Sequence, residues 1–492
     1  MGLINRVNGE NNNMSNSNTI WTAKEAIDAT GGQTSGDWSA TGVSIDTRTI
    51  QEGDLFVALE GEAGNGHDYV VQAIESGACA AIVSREVEGV SEDKLLIVKD
   101  TLKAMEALGC AARARTGAKI IGVTGSVGKT GTKEMLNTAF DCQGQTHASI
   151  KSYNNHWGVP LSLSNMHAGT DFGIFEMGMN HPNEITPLTN MVRPNIAIIT
   201  TISPVHVEHF KNGMDGIVAA KAEIFNGVEP GGYAVLNADI SEFDALNKVA
   251  EEKNLSVATF GESDGAMARL VDCLEAANGS RVKAIIMDEE VSFTLQIAGR
   301  HIAQNTMAVL LAVKLAGGDV QKAARAIERQ EPIVGRGKRE LLDLGMADNP
   351  VTLIDESYNA SPSAMNASFK VLALVDPGRG GRRIAILGDM LELGKDSAKH
   401  HADLALPLKA ANIDLVYTCG KHMKNLHDSL PANQRGAYKV TSKELAEIVP
   451  DVLIPGDVVM VKGSLGSKMG LVVEALRALP DKFKQATKGQ NI

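Results

Sequence analysis

Short, nearly unbroken apolar runs alternate along this chain with stretches whose apolar positions recur every three or four residues. The runs Asp54–Leu59, Ala80–Val83 and Leu95–Val98 predict buried strands, and Val70, Val71 and Ile74 open a helix between them. Gly173–Met177, Asn195–Thr201 and Ala234–Leu236 repeat the pattern, in a style that suits a parallel sheet with helices on both faces. Ile302, Met307, Val309, Leu310 and Val313 predict a long helix, followed by another near Val320–Ile327. Pro332 and Gly335–Gly337 then mark a linker. Beyond it, strands at Val351–Ile354, Ile384–Leu387, Leu415–Thr418 and Val458–Val461 predict a second, Rossmann-like sheet.

One strand, loop and helix carry a ligand signal. Ile120, Ile121 and Val123 form a strand, Gly125–Thr130 a tight loop, and Met135, Leu136 and Ala139 the buried face of a helix. Glycines at 125 and 128 let backbone N–H groups turn inward around phosphate oxygens, the helix N-terminus adds partial positive charge, and Lys129 supplies a cation for the outer phosphates. The Thr130 hydroxyl is then available to Mg2+. The full pattern asks for a glycine where Val123 stands, the nearest being Gly122. The setting favours a nucleotide site for ATP or GTP over a plain glycine turn.

In an open parallel sheet, ligands gather at the carboxyl ends of the strands. Glu176 ends its strand, where an isolated carboxylate within an apolar run calls for a partner or a cation. His206 follows the next strand in a loop, as an ordinary loop histidine or as a ligand. Ile217, Lys221 and Ile224 are spaced four and three apart, which places Lys221 on a buried helix face; it must snorkel, find an anion, lose its proton or be modified. Ser44, Asp46 and Arg48 alternate along a predicted strand face, either to hold a polar ligand or as a solvated Asp/Arg pair.

The expected architecture is α/β in three domains. A small α/β domain at 21–115 precedes a central P-loop parallel-sheet ATPase domain at 116–334 and a C-terminal Rossmann-like domain at 335–492. A disordered tail at 1–20, rich in Asn, Ser and Gly, comes first. The length of 492 residues is in keeping with several cores. Net charge is −12 with no long basic run, which argues against nonspecific nucleic-acid binding. The five cysteines are scattered and never in a CxxC pair, so neither a disulfide framework nor a zinc site is expected, and a reducing cytoplasm fits. No apolar stretch is long enough for stable membrane insertion.

The motifs, taken in order, resemble the Mur ligases, ATP-dependent amide-forming enzymes of cell-wall precursor synthesis. They are TGSVGKT at 124–130, NNHWGVP at 154–160, FEMG at 175–178, the His206 loop, AKAEIF at 220–225, and GRH at 299–301 with Asn305. DESYNASP at 355–362 and GDMLELG at 388–394 are most similar to members that add D-alanyl-D-alanine to UDP-N-acetylmuramoyl-tripeptide. The resemblance implies an acyl-phosphate mechanism in a cytoplasmic monomer. It also implies a P-loop of Thr124, Gly125, Ser126, Val127, Gly128, Lys129 and Thr130 around ATP, with Asn305 at the adenine and Arg336 and Glu356 at phosphate and ribose. Thr130 and Glu176 would hold one Mg2+, and His206 with a carbamylated Lys221 a second. Lys129, Glu176, His206 and Lys221 would carry catalysis, and Ser44, Asp46, Arg48, Asn154, Asn155, Tyr358 and Asn359 would contact the substrates. Ile302 stands where the family often has asparagine, Glu356 where aspartate is common, and Leu465 where arginine is frequent. Two rival readings are another amide ligase of the superfamily, such as a folate-polyglutamate or tripeptide-forming enzyme, and a P-loop switch that hydrolyses nucleotide.

Overall fold

The computed structural model describes residues 18–61, 64–204, 207–210 and 212–481; positions 1–17 of the expected tail lie outside them. Compactness divides the chain into two units. The first runs to Ala118 and takes in His156–Thr170; the second comprises Lys119–Asn155 and everything from Asp171 onward.

In the first unit four parallel strands lie in the order Gly42–Ser44, Asp54–Val57, Ala80–Val83 and Leu95–Ile97. Asp54–Val57 and Ala80–Val83 are buried at every position, which is why they read as unbroken runs rather than alternating ones. The helix Ala23–Thr30 begins at a capping box between Thr22 and Glu25, an arrangement worth about 0.5–2 kcal/mol.

Two expectations change here. Residues 156–170, placed by the sequence reading within 116–334, pack with this first unit. The cause is long-range: the Trp21 indole Nε1 donates to the Ser164 carbonyl at 2.8 Å, and the Asn165 amide brackets Val43, accepting from its N–H at 2.8 Å and donating to its C=O at 2.9 Å. The helix Gly158–Ser164 is accordingly buried throughout. Asp46 and Arg48 do not continue the strand that ends at Ser44. Asp46 Oδ1 accepts the Arg48 N–H at 3.0 Å and the guanidinium folds back on the same carboxylate at 2.9 and 2.6 Å, which closes a turn.

The second unit holds two sheets. The larger runs Thr146–Ala148, Phe172–Glu176, Lys119–Thr124, Ile196–Ile199, Tyr233–Asn237, Ser256–Gly261, Ala268–Ala276, Gly279–Ile286 and Glu289–Leu295. Pairing is parallel as far as Ala268–Ala276, and the last two strands add antiparallel hairpins. The sheet is thus mixed where a parallel one was expected. Glu289–Leu295 alternates exposed and buried positions, as a strand with one covered face must. Against the sheet, Leu136 and Phe140 of the helix Lys129–Asp141 share a core with Met307 and Leu311 of the helix Arg300–Leu315.

The smaller sheet runs Lys338–Leu342, Val351–Glu356, Val458–Lys462, Arg383–Gly388, Leu415–Cys419 and Arg435–Lys439. All its pairings are parallel except that of the edge strand Lys338–Leu342.

Candidate active site

The strand Lys119–Thr124 is flanked by Phe172–Glu176 on one side and Ile196–Ile199 on the other. The chain leaves it in both directions across the sheet, and the crevice beyond its carboxyl end is where an open α/β sheet binds ligands. Gly125 and Gly128 sit there at φ +147° and +88°. A Cβ on Gly125 would meet Thr200 Oγ1 at 2.0 Å, and one on Gly128 would meet Asn305 Nδ2 at 2.6 Å. Both positions therefore require glycine on backbone angle, and Gly125 on space as well. Thr200 Oγ1 donates to Val127 O at 2.6 Å and Ser126 Oγ to Ser203 O at 3.0 Å, which tie the loop to the neighbouring strand end.

At the start of the helix, Thr130 Oγ1 donates to Glu176 Oε2 at 2.8 Å, and Asn154 Nδ2 to Glu176 Oε1 at 2.7 Å. The Glu176 carboxylate is thus held from both oxygens on a residue only 1 % exposed. Lys129 Nζ bends back to Gly125 O at 2.7 Å. Desolvation lowers its pKa, with Glu176 opposing and Arg336 adding to the fall.

From the linker, Arg336 Nη2 reaches Thr130 Oγ1 at 3.1 Å, and its guanidinium stacks over the Tyr358 ring at 4.3 Å. Across the crevice, Glu356 Oε2 pairs with Lys462 Nζ at 3.0 Å, and the same ammonium donates to Asn359 O at 3.1 Å. These residues, with Asn305, line one cavity of ≈ 710 Å³. Ile302 also lines it, so the wall is apolar at that point.

Of the residues expected at the nucleotide, Ser126 to Thr130, Glu176, Asn305, Arg336 and Glu356 come together around this cavity, as do Asn154, Tyr358 and Asn359. Thr124 is fully buried at its strand end, and neither it, Gly125 nor Asn155 lines the cavity. Ser44, Asp46 and Arg48 belong to the first unit. His206 lies outside the described residues.

Lys221 lies in the last turn of the helix Gly213–Ala222 and is 1 % exposed. Burial, and then the charge of Lys129, drive its pKa well below the lysine range against the pull of Glu176, Glu223 and Glu184. The spacing argument placed this ammonium inward, and the structure does too. Among the described residues, no group of three or more His, Cys, Asp and Glu side chains is placed to hold a metal ion.

Sequence reasoning missed Ser152, whose hydroxyl lies 3.1 Å from Thr130 Oγ1, and the inward role of Lys462. The signal for Lys462 was present. It ends a run of apolar strand residues just as Glu176 does, at the carboxyl edge of a parallel sheet.

Family models match three stretches: the Mur ligase family catalytic domain at 39–116, the Mur ligase middle domain at 123–313, and the Mur ligase glutamate ligase domain at 343–465. The chain is 32 % identical over 458 residues to a UDP-N-acetylmuramoyl-tripeptide--D-alanyl-D-alanine ligase of Rickettsia prowazekii, covering 92 % of this chain and 99 % of that one. It is 30 % identical to the ligase of the same name from Escherichia coli, over 93 % and 98 % of the two chains. The crystal structure of MurF from Acinetobacter baumannii superimposes with a TM-score of 0.81 at 26 % identity, over 93 % of this chain and 99 % of that one. Matched along nearly its whole length, the chain belongs to the Mur ligase family.

Proposed function

We propose that this protein joins D-alanyl-D-alanine to UDP-N-acetylmuramoyl-tripeptide at the expense of ATP, forming ADP and phosphate. The observation that carries the reading is the Thr130–Glu176 pair, 2.8 Å apart beneath the glycine loop, with Arg336 and the Glu356–Lys462 pair facing it across one cavity. That is a nucleotide site with room beside the outer phosphates. The names of the relatives supply the substrates. We retain the three-domain division at 21–115, 116–334 and 335–492, with 156–170 moved to the first, and assign Ser44, Asp46 and Arg48 of that domain to the UDP end.

The donor set fits Mg2+. A carboxylate this buried, bonded to a hydroxyl and an amide, is an oxygen site of the kind Mg2+ uses while keeping phosphate oxygens and water in its remaining positions. Glu176 and Thr130 would hold it, and His206 with a carbamylated Lys221 would serve a second ion. When bound, the metal neutralises charge on the phosphates. A lysine whose amine is held neutral by its surroundings can attack carbon dioxide and release a proton, which converts a buried neutral amine into an anion.

Carboxylates do not acylate amines in water without activation. In the proposed sequence the tripeptide carboxylate oxygen attacks the γ-phosphorus, the bond to ADP breaks, and an acyl phosphate results. The dipeptide amine attacks the acyl carbon, loses a proton, and phosphate leaves with its oxygen. The chain's part is positioning and charge. Lys129 and Arg336 draw on the transferring phosphoryl group, Asn305 and Glu356 fix adenine and ribose, and Tyr358, Asn359 and Asn154 confine the joined ends.

Mass analysis of a reaction containing ATP, Mg2+, the UDP-tripeptide and D-alanyl-D-alanine tests this. A UDP-pentapeptide should appear only when both substrates are present. Another amine incorporated in its place would favour a different amide ligase, and ADP formed with no new amide would favour a nucleotide switch.

A further inference from the structure

Lys133 is a buried cation that the mechanism above does not use. It lies on the P-loop helix one turn beyond Lys129 and three residues beyond Thr130, so it shares their face. The residue is 1 % exposed, and its ammonium is held by backbone and charge. Nζ donates to Ser149 O at 2.7 Å and to Lys151 O at 2.8 Å, and lies 2.5 Å from Glu134 Oε1. Two backbone carbonyls and the adjacent carboxylate thus offset the cost of burying the charge.

Its two carbonyl partners bracket a short loop. Lys151 there has φ +51°, a left-handed backbone that a lysine rarely adopts unaided. Immediately afterwards the same loop delivers Ser152 to Thr130 at 3.1 Å and Asn154 to Glu176 at 2.7 Å. The Asn154 carbonyl then accepts the Gly178 N–H at 2.8 Å, just past the strand that carries Glu176.

We infer that Lys133 is a positioning residue for the metal-binding pair: it pins the Ser149–Lys151 backbone so that Ser152 and Asn154 hold Thr130 and Glu176 in their ligating orientation. It does not line the cavity. The inference rests on the nucleotide reading above, and deepens it by tying the P-loop helix to the far side of the same site.

The test is calorimetric titration of ADP into wild type and Lys133→Met, with and without Mg2+, alongside thermal unfolding. Wild type should bind ADP more tightly with Mg2+ present. In Lys133→Met, Mg2+-free ADP affinity should stay within about twofold, because the glycine loop is untouched, while the Mg2+-dependent gain should fall by about tenfold. The Mg2+ concentration for half-maximal turnover should rise in parallel, a change that mere loss of folded enzyme does not produce. If Lys133→Met fails to fold, Lys133→Gln, which keeps an amide donor, is read in its place. A wild-type Mg2+ gain in the folded variant overturns the inference while leaving the nucleotide reading intact. Wild-type protein that binds no ADP overturns both.

Discussion

Arg336 donates to the Thr130 hydroxyl across 206 residues of sequence, so the linker after Pro332 is tied to the first turn of the P-loop helix. Gly335 and Gly337, at φ +77° and +94°, turn the backbone on either side of it, and Tyr358 supports its guanidinium from below. Arg336→Ala should lower turnover on the order of 10²-fold, the scale of one lost charge-stabilising donor. Affinity for the UDP-substrate should not change. Steady-state kinetics with direct binding of that substrate checks this, and an unchanged kcat would remove Arg336 from the site.

Lys129 is the cation nearest the glycine loop, held by the Gly125 carbonyl. Lys129→Ala should cut turnover on the order of 10³-fold or more while UDP-substrate binding survives, since that substrate is assigned to the other compact unit. Retained turnover would refute the P-loop assignment.

For Lys221, burial and the neighbouring Lys129 favour the neutral amine. Replacement by Ala should abolish most activity, and a small exogenous carboxylate should restore part of it by standing in for the carbamate. Depleting bicarbonate should slow wild type and leave the rescued variant unaffected. A fully active Lys221→Ala enzyme would show that no modification is needed.

A stability prediction concerns His401 in the second sheet's layer. It is fully buried, with Nδ1–H directed to Ser397 O at 2.7 Å and Nε2 accepting the Met390 N–H at 2.9 Å, so it is held neutral. Burial lowers its pKa, and His422 and His400 add to this against Asp389 and the Ser397 carbonyl. A lowered folded value means that the unfolded chain binds more protons between that value and about 6.5. The stabilisation is therefore complete above about pH 6.5 and is lost as pH falls through the window. His401→Gln should cost about 1–3 kcal/mol near neutral pH and flatten the acid limb of a denaturation-versus-pH curve. An equally steep limb in the variant would assign the effect to other groups.

Local patterns exposed much of this. Glycine spacing marked the loop, the three-and-four spacing of Ile217, Lys221 and Ile224 put the lysine inside, and apolar runs located most parallel strands. Pairings made at long range stayed hidden. Glu356 meets Lys462 across 106 residues and Trp21 meets Ser164 across 143, and neither contact leaves a periodic trace. The second of these is why Gly158–Ser164 joins the first unit. The antiparallel hairpins were missed for a different reason: their alternating positions carry charges such as Glu289, Glu290 and Lys283, which mask a one-sided strand as loop. Asp46 and Arg48 show the reverse error, where alternation that suits a strand is a turn closed by its own ion pair.

The central claim is that phosphate is released only as an amide forms. The most direct measurement is phosphate release from ATP and Mg2+ with UDP-N-acetylmuramoyl-tripeptide and D-alanyl-D-alanine each present or omitted. Sustained release that requires both substrates, matched one for one by new UDP-pentapeptide, is the predicted result. Sustained release that continues without the dipeptide would contradict it.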